Sequence, residues 1–184
     1  MRTKLVMPLL LLSVLVTPLI SGCIGLVPAR EFLEGMRDAP VSDTDTDEIV
    51  VSHTFTTPSP QLFTPVPSEF MVDEYVTEIS AYLSVQNFLS EQTNWLPNET
   101  RYVRAILTDG TGKNVVWEQE VSETSTILET QLQPPFAQGE WSLQIEARGY
   151  GEEIFSQFQD SFHIVITIER ACTIYPGELD CNYD

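Results

Sequence analysis

The stretch "RYVRAILTDGTGKNVVWEQEV", Arg101–Val121, decides the fold. Val103, Ala105 and Leu107 alternate with Arg104, Ile106 and Thr108. That period of two turns one face of a strand toward a core. "DGTGK" follows as a turn, with Asp109-Gly110 expected to supply positive φ where the chain reverses. Beyond it Val115, Trp117 and Val121 are expected to face away from Glu118 and Glu120. Two half-buried strands joined by a short turn make an antiparallel hairpin. A hairpin with one apolar face needs a second layer to cover it.

The same alternation recurs on both sides. In "IVVSHTF", Ile49, Val51, His53 and Phe55 share a face. In "DEYVTEISAYLSV", Tyr75, Thr77, Ile79, Ala81, Leu83 and Val85 do so. "STILETQL" is a short strand, and "EWSLQIEARG" points Trp141, Leu143, Ile145 and Ala147 one way. "SFHIVITIE" aligns Phe162, Ile164, Ile166 and Ile168 against His163, Val165 and Thr167. "TPSPQLFTPVP", with four prolines, reads as an extended loop, because proline cannot donate to a central ladder. About seven strands and no convincing helix after residue 48 predict an all-β, antiparallel β-sandwich. "VRAILTDGTGKNVVWEQEV" followed by "QPPFAQGEWSLQIEARG" resembles the middle of immunoglobulin-like modules of cell surfaces, where a D-x-x-G hairpin precedes a G-x-W-x-L strand. The alternative is a jelly roll, the architecture of many carbohydrate-binding domains.

The N-terminus is of another kind. Arg2 and Lys4 precede an apolar run, Leu5–Ile20, which ends in Ser21-Gly22. This is the layout of a secretory signal peptide over residues 1–22. The run has 16 residues and contains Pro8 and Pro18, whereas a spanning helix needs roughly 20 apolar residues. An uncleaved N-terminal anchor is the alternative. Ile20-Ser21-Gly22-Cys23 resembles the lipobox of prokaryotic lipoproteins, bacterial or archaeal. The resemblance implies cleavage before Cys23, diacylglyceryl on its thiol and a membrane-anchored domain on the extracytoplasmic side. Each buried methylene contributes about 0.8 kcal/mol, and two or more acyl chains hold durably where one holds reversibly. Residues 23–47 then read as an acidic tether. "AREFLEGMRDAP" can hold one or two helical turns with Phe32, Leu33 and Met36 on one side, stopped by Pro40. If flexible, the tether reaches about 25–30 Å. The sandwich is expected over 48–170 and a disulfide-clipped tail over 171–184.

Removing residues 1–22 takes two of nine basic residues and none of 27 acidic ones, leaving a net charge of −20. That charge argues against nucleic acid as a partner, since binders of phosphate backbones need a basic face. The acids are spread from Glu31 to Asp184, which suits solvation and mutual repulsion better than a cation-binding surface.

Catalytic patterns are missing from the sequence: no nucleophile elbow, zinc helix, P-loop or dinucleotide turn. His53 lies on its strand's apolar face and His163 on the less apolar face, so a joint metal site is not expected. Asp43, Asp45 and Asp47 open like a calcium loop, but Glu48 and Thr54 stand where glycine and glutamate are required. No metal, cofactor or catalytic residue is assigned. Trp117 and Trp141 read as core, while Trp95, in the polar "TNWLPNET", is the candidate ligand contact. Asn98 heads a glycosylation sequon. Cys172 and Cys181 enclose a Pro176-Gly177 turn and are expected to pair, contributing about 2–3 kcal/mol. The functional expectation is a non-enzymatic lipoprotein that binds an unknown protein or glycan partner. The alternative is a carbohydrate-binding module, assisted by calcium.

Overall fold

The computed structural model describes residues 26–87, 101–152 and 159–183. Of these, the residues up to Val41 together with Ile174–Asp180 form one compact unit. Ser42–Thr173 and the residues from Cys181 form the other. Cys23, Trp95 and Asn98 lie outside the described residues.

In the first unit, helix α1 runs Leu26–Gly35. Its last turn tightens, with Met36 N donating to Leu33 O and Arg37 N to Glu34 O. Arg30 pairs with Glu34 one turn on, both exposed.

The second unit is all-β, with two antiparallel sheets packed face to face. Among the described residues its strands are β1 Val41–Thr54, β2 Gln61–Phe63, β3 Ser68–Val72, β4 Val76–Gln86, β5 Tyr102–Thr108, β6 Val115–Val121, β7 Ser125–Leu132, β8 Gly139–Gly149 and β9 Ser161–Ile174. One sheet has the order β1-β9-β4-β7 and the other β2-β8-β5-β6, with β3 also on β8. β2 meets the end of β8 at Ala147–Gly149 and β3 meets its start at Gly139–Leu143. They act as two halves of one interrupted edge strand.

This order has a simple generator. The β5-β6 hairpin is the tip of a long ribbon. The ribbon continues with β4 beside β7, β2 and β3 beside β8, and β1 beside β9. Rolling it up adds the contacts β4·β9 and β5·β8. That double wrap is a jelly roll. An immunoglobulin-like sandwich instead keeps its first two strands in one sheet, whereas here β1 and β2 belong to different sheets. The sandwich expectation therefore holds, and the jelly-roll alternative gives the strand order.

The core is the set of inward residues of both sheets. Ile79, Ala81, Leu83 and Val85 of β4 and Phe162, Ile164, Ile166 and Ile168 of β9 face Ala105 and Leu107 of β5 and Trp141, Leu143, Ile145 and Ala147 of β8, all buried. Trp117 is buried as well. Each fully buried side chain of this size contributes about 1.5–3 kcal/mol relative to exposure.

Five local features differ from the sequence reading. β1 begins at Val41, not 48, so the acidic half of the expected tether is strand. β9 likewise runs beyond 170, to Ile174. The register of β4 shifts between Val76 and Glu78, which turns Val76 inward where strict alternation had placed Tyr75 and Thr77. A second shift, between Leu107 and Thr108, leaves Val115 more than half exposed and lets Val116 pack on the core instead. Finally, positive φ falls on Gly112, at 67°, and not on Gly110. Gly110 is needed for space: a Cβ there would lie 2.6 Å from the carbonyl oxygen of Gln138.

Candidate functional site

Every second residue of a sheet strand points out, so the outer face of the β2-β8-β5-β6 sheet is written in the same alternation as the core. β5 contributes Tyr102, Arg104 and Ile106; β8 contributes Gln144, Glu146 and Arg148; β6 contributes Glu118 and Glu120. Cross-strand register aligns Glu146, Arg104 and Glu120 in one rung and Gln144, Ile106 and Glu118 in the next. Arg104 Nε donates to Glu120 Oε2 at 2.7 Å. The Tyr102 hydroxyl donates to Glu146. That carboxylate, then burial, raises the Tyr102 pKa above its ordinary value, while the Glu120 carboxylate raises that of Arg104.

The proline segment between β2 and β3, whose two strands both pair with β8, borders this ladder. Thr64, Pro65 and Pro67 stand opposite Arg104, Ile106, Gln144 and Glu146 and enclose a groove of about 250 Å³. The apolar walls are proline rings and Ile106. The polar side chains are one hydroxyl, one guanidinium, one amide and one carboxylate. This combination can hold an extended polar ligand by apolar contact with a few fixed hydrogen bonds.

A second concavity, about 300 Å³, lies by the β5-β6 turn between Asp109, Leu132, Gln133, Pro135, Phe136 and Trp141. Two of its polar groups, the Asp109 carboxylate and the Trp141 indole N–H, are already used. Asp109 accepts from the backbone N–H of Thr111 and from the Asn114 amide, and its carboxyl is held below the usual range by the Thr111 and Asn114 hydrogen bonds. Trp141 is 1% exposed, and its indole N–H donates to Ala137 O at 2.7 Å. The ring is therefore core, as expected, and closed to a ligand.

The two histidines part as the alternation predicts. His53, on edge strand β1, turns between the sheets. Its ring stacks on Phe63 of β2 with centroids 4.0 Å apart and meets Phe55 edge-on at 4.7 Å. Nε2 is buried with no hydrogen-bond partner among the described residues, and burial lowers the His53 pKa below its ordinary value. His163 is exposed and lies edge-on to Tyr82 at 6.0 Å. Among the described residues, no group of three or more His, Cys, Asp or Glu is placed to hold a metal ion.

Cys172 and Cys181 form the expected disulfide, with Cα atoms 5.4 Å apart. It folds the tail back so that Thr173 and Asn182 exchange backbone hydrogen bonds at 2.9 Å. Tyr183 then packs on Tyr75 at 5.4 Å and donates its hydroxyl to Asp45 of β1, which raises the Tyr183 pKa. Arg170 completes this clamp: it pairs with Asp47 and Asp73 and donates to Met71 O at 3.0 Å. Asp45 and Asp47 are thus strand residues held by the tail and by β9.

Sequence reasoning missed a polar node at the other end. Arg101 and Asp160 are both buried, with Nε 3.5 Å from Oδ2. The Arg101 guanidinium lies over the Tyr150 ring at 5.3 Å. Asp160 Oδ2 accepts from Tyr150 N at 2.9 Å, and Asp160 O accepts from Phe55 N at 2.9 Å. The node ties the ends of β1 and β8 to the starts of β5 and β9. A buried charge pair brought together across 59 positions leaves no local pattern in the sequence.

No family model matches the chain. No curated protein matches it either. Among solved structures, it aligns with that of the infectious bursal disease virus Gx strain at 11% identity and a TM-score of 0.20, covering 76% of this chain and 41% of that one. The infectious bursal disease virus VP2 subviral particle gives 11% identity and a TM-score of 0.21, over 76% and 42%. The chain thus spans about two-fifths of those chains' length, and the jelly-roll assignment rests on the strand order alone.

Proposed function

We propose that this protein is a membrane-anchored, extracytoplasmic lipoprotein whose jelly roll is a non-enzymatic binding module. Cys23 carries the lipid. The outer face of the β2-β8-β5-β6 sheet carries the binding surface, with the groove beside Thr64–Pro67 as its centre. The observation that supports the binding role is the groove itself, in which Arg104, Gln144 and Glu146 converge on walls of proline and Ile106. The sequence Ile20-Ser21-Gly22-Cys23 supports the anchor.

The partner is a neutral or mixed-charge extended ligand, a glycan chain or a peptide strand. The acidic charge of the chain works against nucleic acid. Calcium plays no part in this reading. The test is to screen the mature protein against glycan and peptide arrays, with Gln144→Ala and Ile106→Glu beside the natural sequence. A hit lost in both variants and insensitive to a calcium chelator supports the groove. A hit unchanged in both removes the groove from the account, and the absence of any hit argues against a glycan or peptide binder.

A further inference from the structure

Helix α1 has two faces. At 3.6 residues per turn, Phe32 and Leu33 bound an apolar arc of about 100°, with Met36 just past the last helical residue, while Arg30, Glu31 and Glu34 lie on the opposite side around Val27. The apolar arc is in solvent: Phe32 is 68% exposed, Leu33 67% and Met36 65%. Three large apolar side chains side by side at that exposure mark a surface that meets something apolar.

What precedes the helix says what that is. α1 begins at Leu26, three residues after Cys23, and the apolar run Leu5–Ile20 lies just before that. With residues 1–22 cut away and Cys23 acylated, the helix starts within about 10 Å of contour from the bilayer; with the run kept as an anchor, the six steps from Ile20 to Leu26 allow about 20 Å. Charge agrees. Leu26–Asp38 carries two basic residues against three acidic, close to neutral, whereas Val41–Glu48 carries four acids and no base. Near the N-terminus, the helix is the segment that an anionic lipid surface does not repel.

We infer that α1 lies in the plane of the membrane interface, with Phe32, Leu33 and, in the turn just past its end, Met36 in the acyl boundary and Arg30, Glu31 and Glu34 toward water. The inference rests on the membrane attachment proposed above and adds the surface that meets the lipid. It replaces a freely swinging tether by a short helical foot.

Spin-label accessibility tests it. Cysteines are introduced singly at Glu31, Phe32, Leu33, Glu34 and Met36 of the full chain, labelled with nitroxide, and the processed protein is reconstituted in vesicles of equal parts phosphatidylethanolamine and phosphatidylglycerol. Labels at 32, 33 and 36 are expected to collide more with lipid-dissolved oxygen than with a water-soluble nickel chelate, by a ratio several-fold above that at 31 and 34. Five equally wet positions on a protein that stays with the vesicles overturn the docking and leave the anchor standing. A protein that does not stay with the vesicles overturns both.

Discussion

His53 offers a prediction that can be worked through from its surroundings. The ring sits among Phe55, Phe63 and Phe162, and Nε2 is buried with no partner among the described residues. A buried polar group in that position costs about 1–3 kcal/mol. His53→Phe removes the group and keeps an aromatic ring on Phe63. The larger ring takes back part of the gain through crowding. A net stabilisation of about 1 kcal/mol at neutral pH is expected, or about 3 °C in Tm. The pH dependence is the sharper readout. Burial depresses the folded-state pKa of His53 below 6.5. Between that lowered value and 6.5 the unfolded chain holds a proton that the folded chain lacks. Stability is therefore full above 6.5, falls as the pH drops through 6.5, and stops falling below the folded pKa. One group contributes a slope of at most about 1.4 kcal/mol per pH unit. Thermal unfolding followed by circular dichroism from pH 5 to 8 should show a stability gap between variant and natural protein that widens toward acid. A gap that stays constant across that range would refute the reasoning, because the two proteins differ only in this titrating ring.

Three further predictions concern the frame. Cys181→Ser opens a disulfide loop of sequence separation 9 and frees Tyr183 from Asp45; it should cost about 2.5 kcal/mol by chemical denaturation and speed hydrogen exchange in β1. Asp160→Ala leaves the Arg101 guanidinium buried without its carboxylate and should cost about 3–5 kcal/mol, whereas an exposed change such as Glu118→Ala should stay within about 0.5 kcal/mol in the same titration. At the β5-β6 turn, Gly112→Asn should be nearly neutral, because asparagine tolerates positive φ. Gly110→Ala should lower Tm clearly, because its Cβ runs into the Gln138 and Gly139 backbone.

The strands that could be read from the sequence were those long enough for period two to register. β4, β5, β8 and β9 each present one face to the core, and burial on one face is a local property that the chain spells out residue by residue. β2 and β3 escaped because three residues between prolines, and five residues after them, carry too little alternation. The winding could not be read at all: an immunoglobulin-like and a jelly-roll sandwich ask the same of each strand and differ only in which neighbours meet. The groove was hidden for a related reason. Arg104 and Glu146 look like ordinary solvated positions until the Thr64–Pro67 segment, some 40 and 80 positions away, is brought beside them. His53 was legible as a half-buried histidine because its neighbours at i±2, Val51 and Phe55, are apolar; that Phe63 stacks on it was not.

The lipid proposed on Cys23 fixes the chain in the cell. Intact-mass and N-terminal peptide spectrometry of the protein extracted from its native membranes tests this most directly. A chain beginning at Cys23, with the mass of a diacylglyceryl thioether and its further acylation, is predicted. A chain that keeps residues 1–22 and carries a free Cys23 thiol would contradict it.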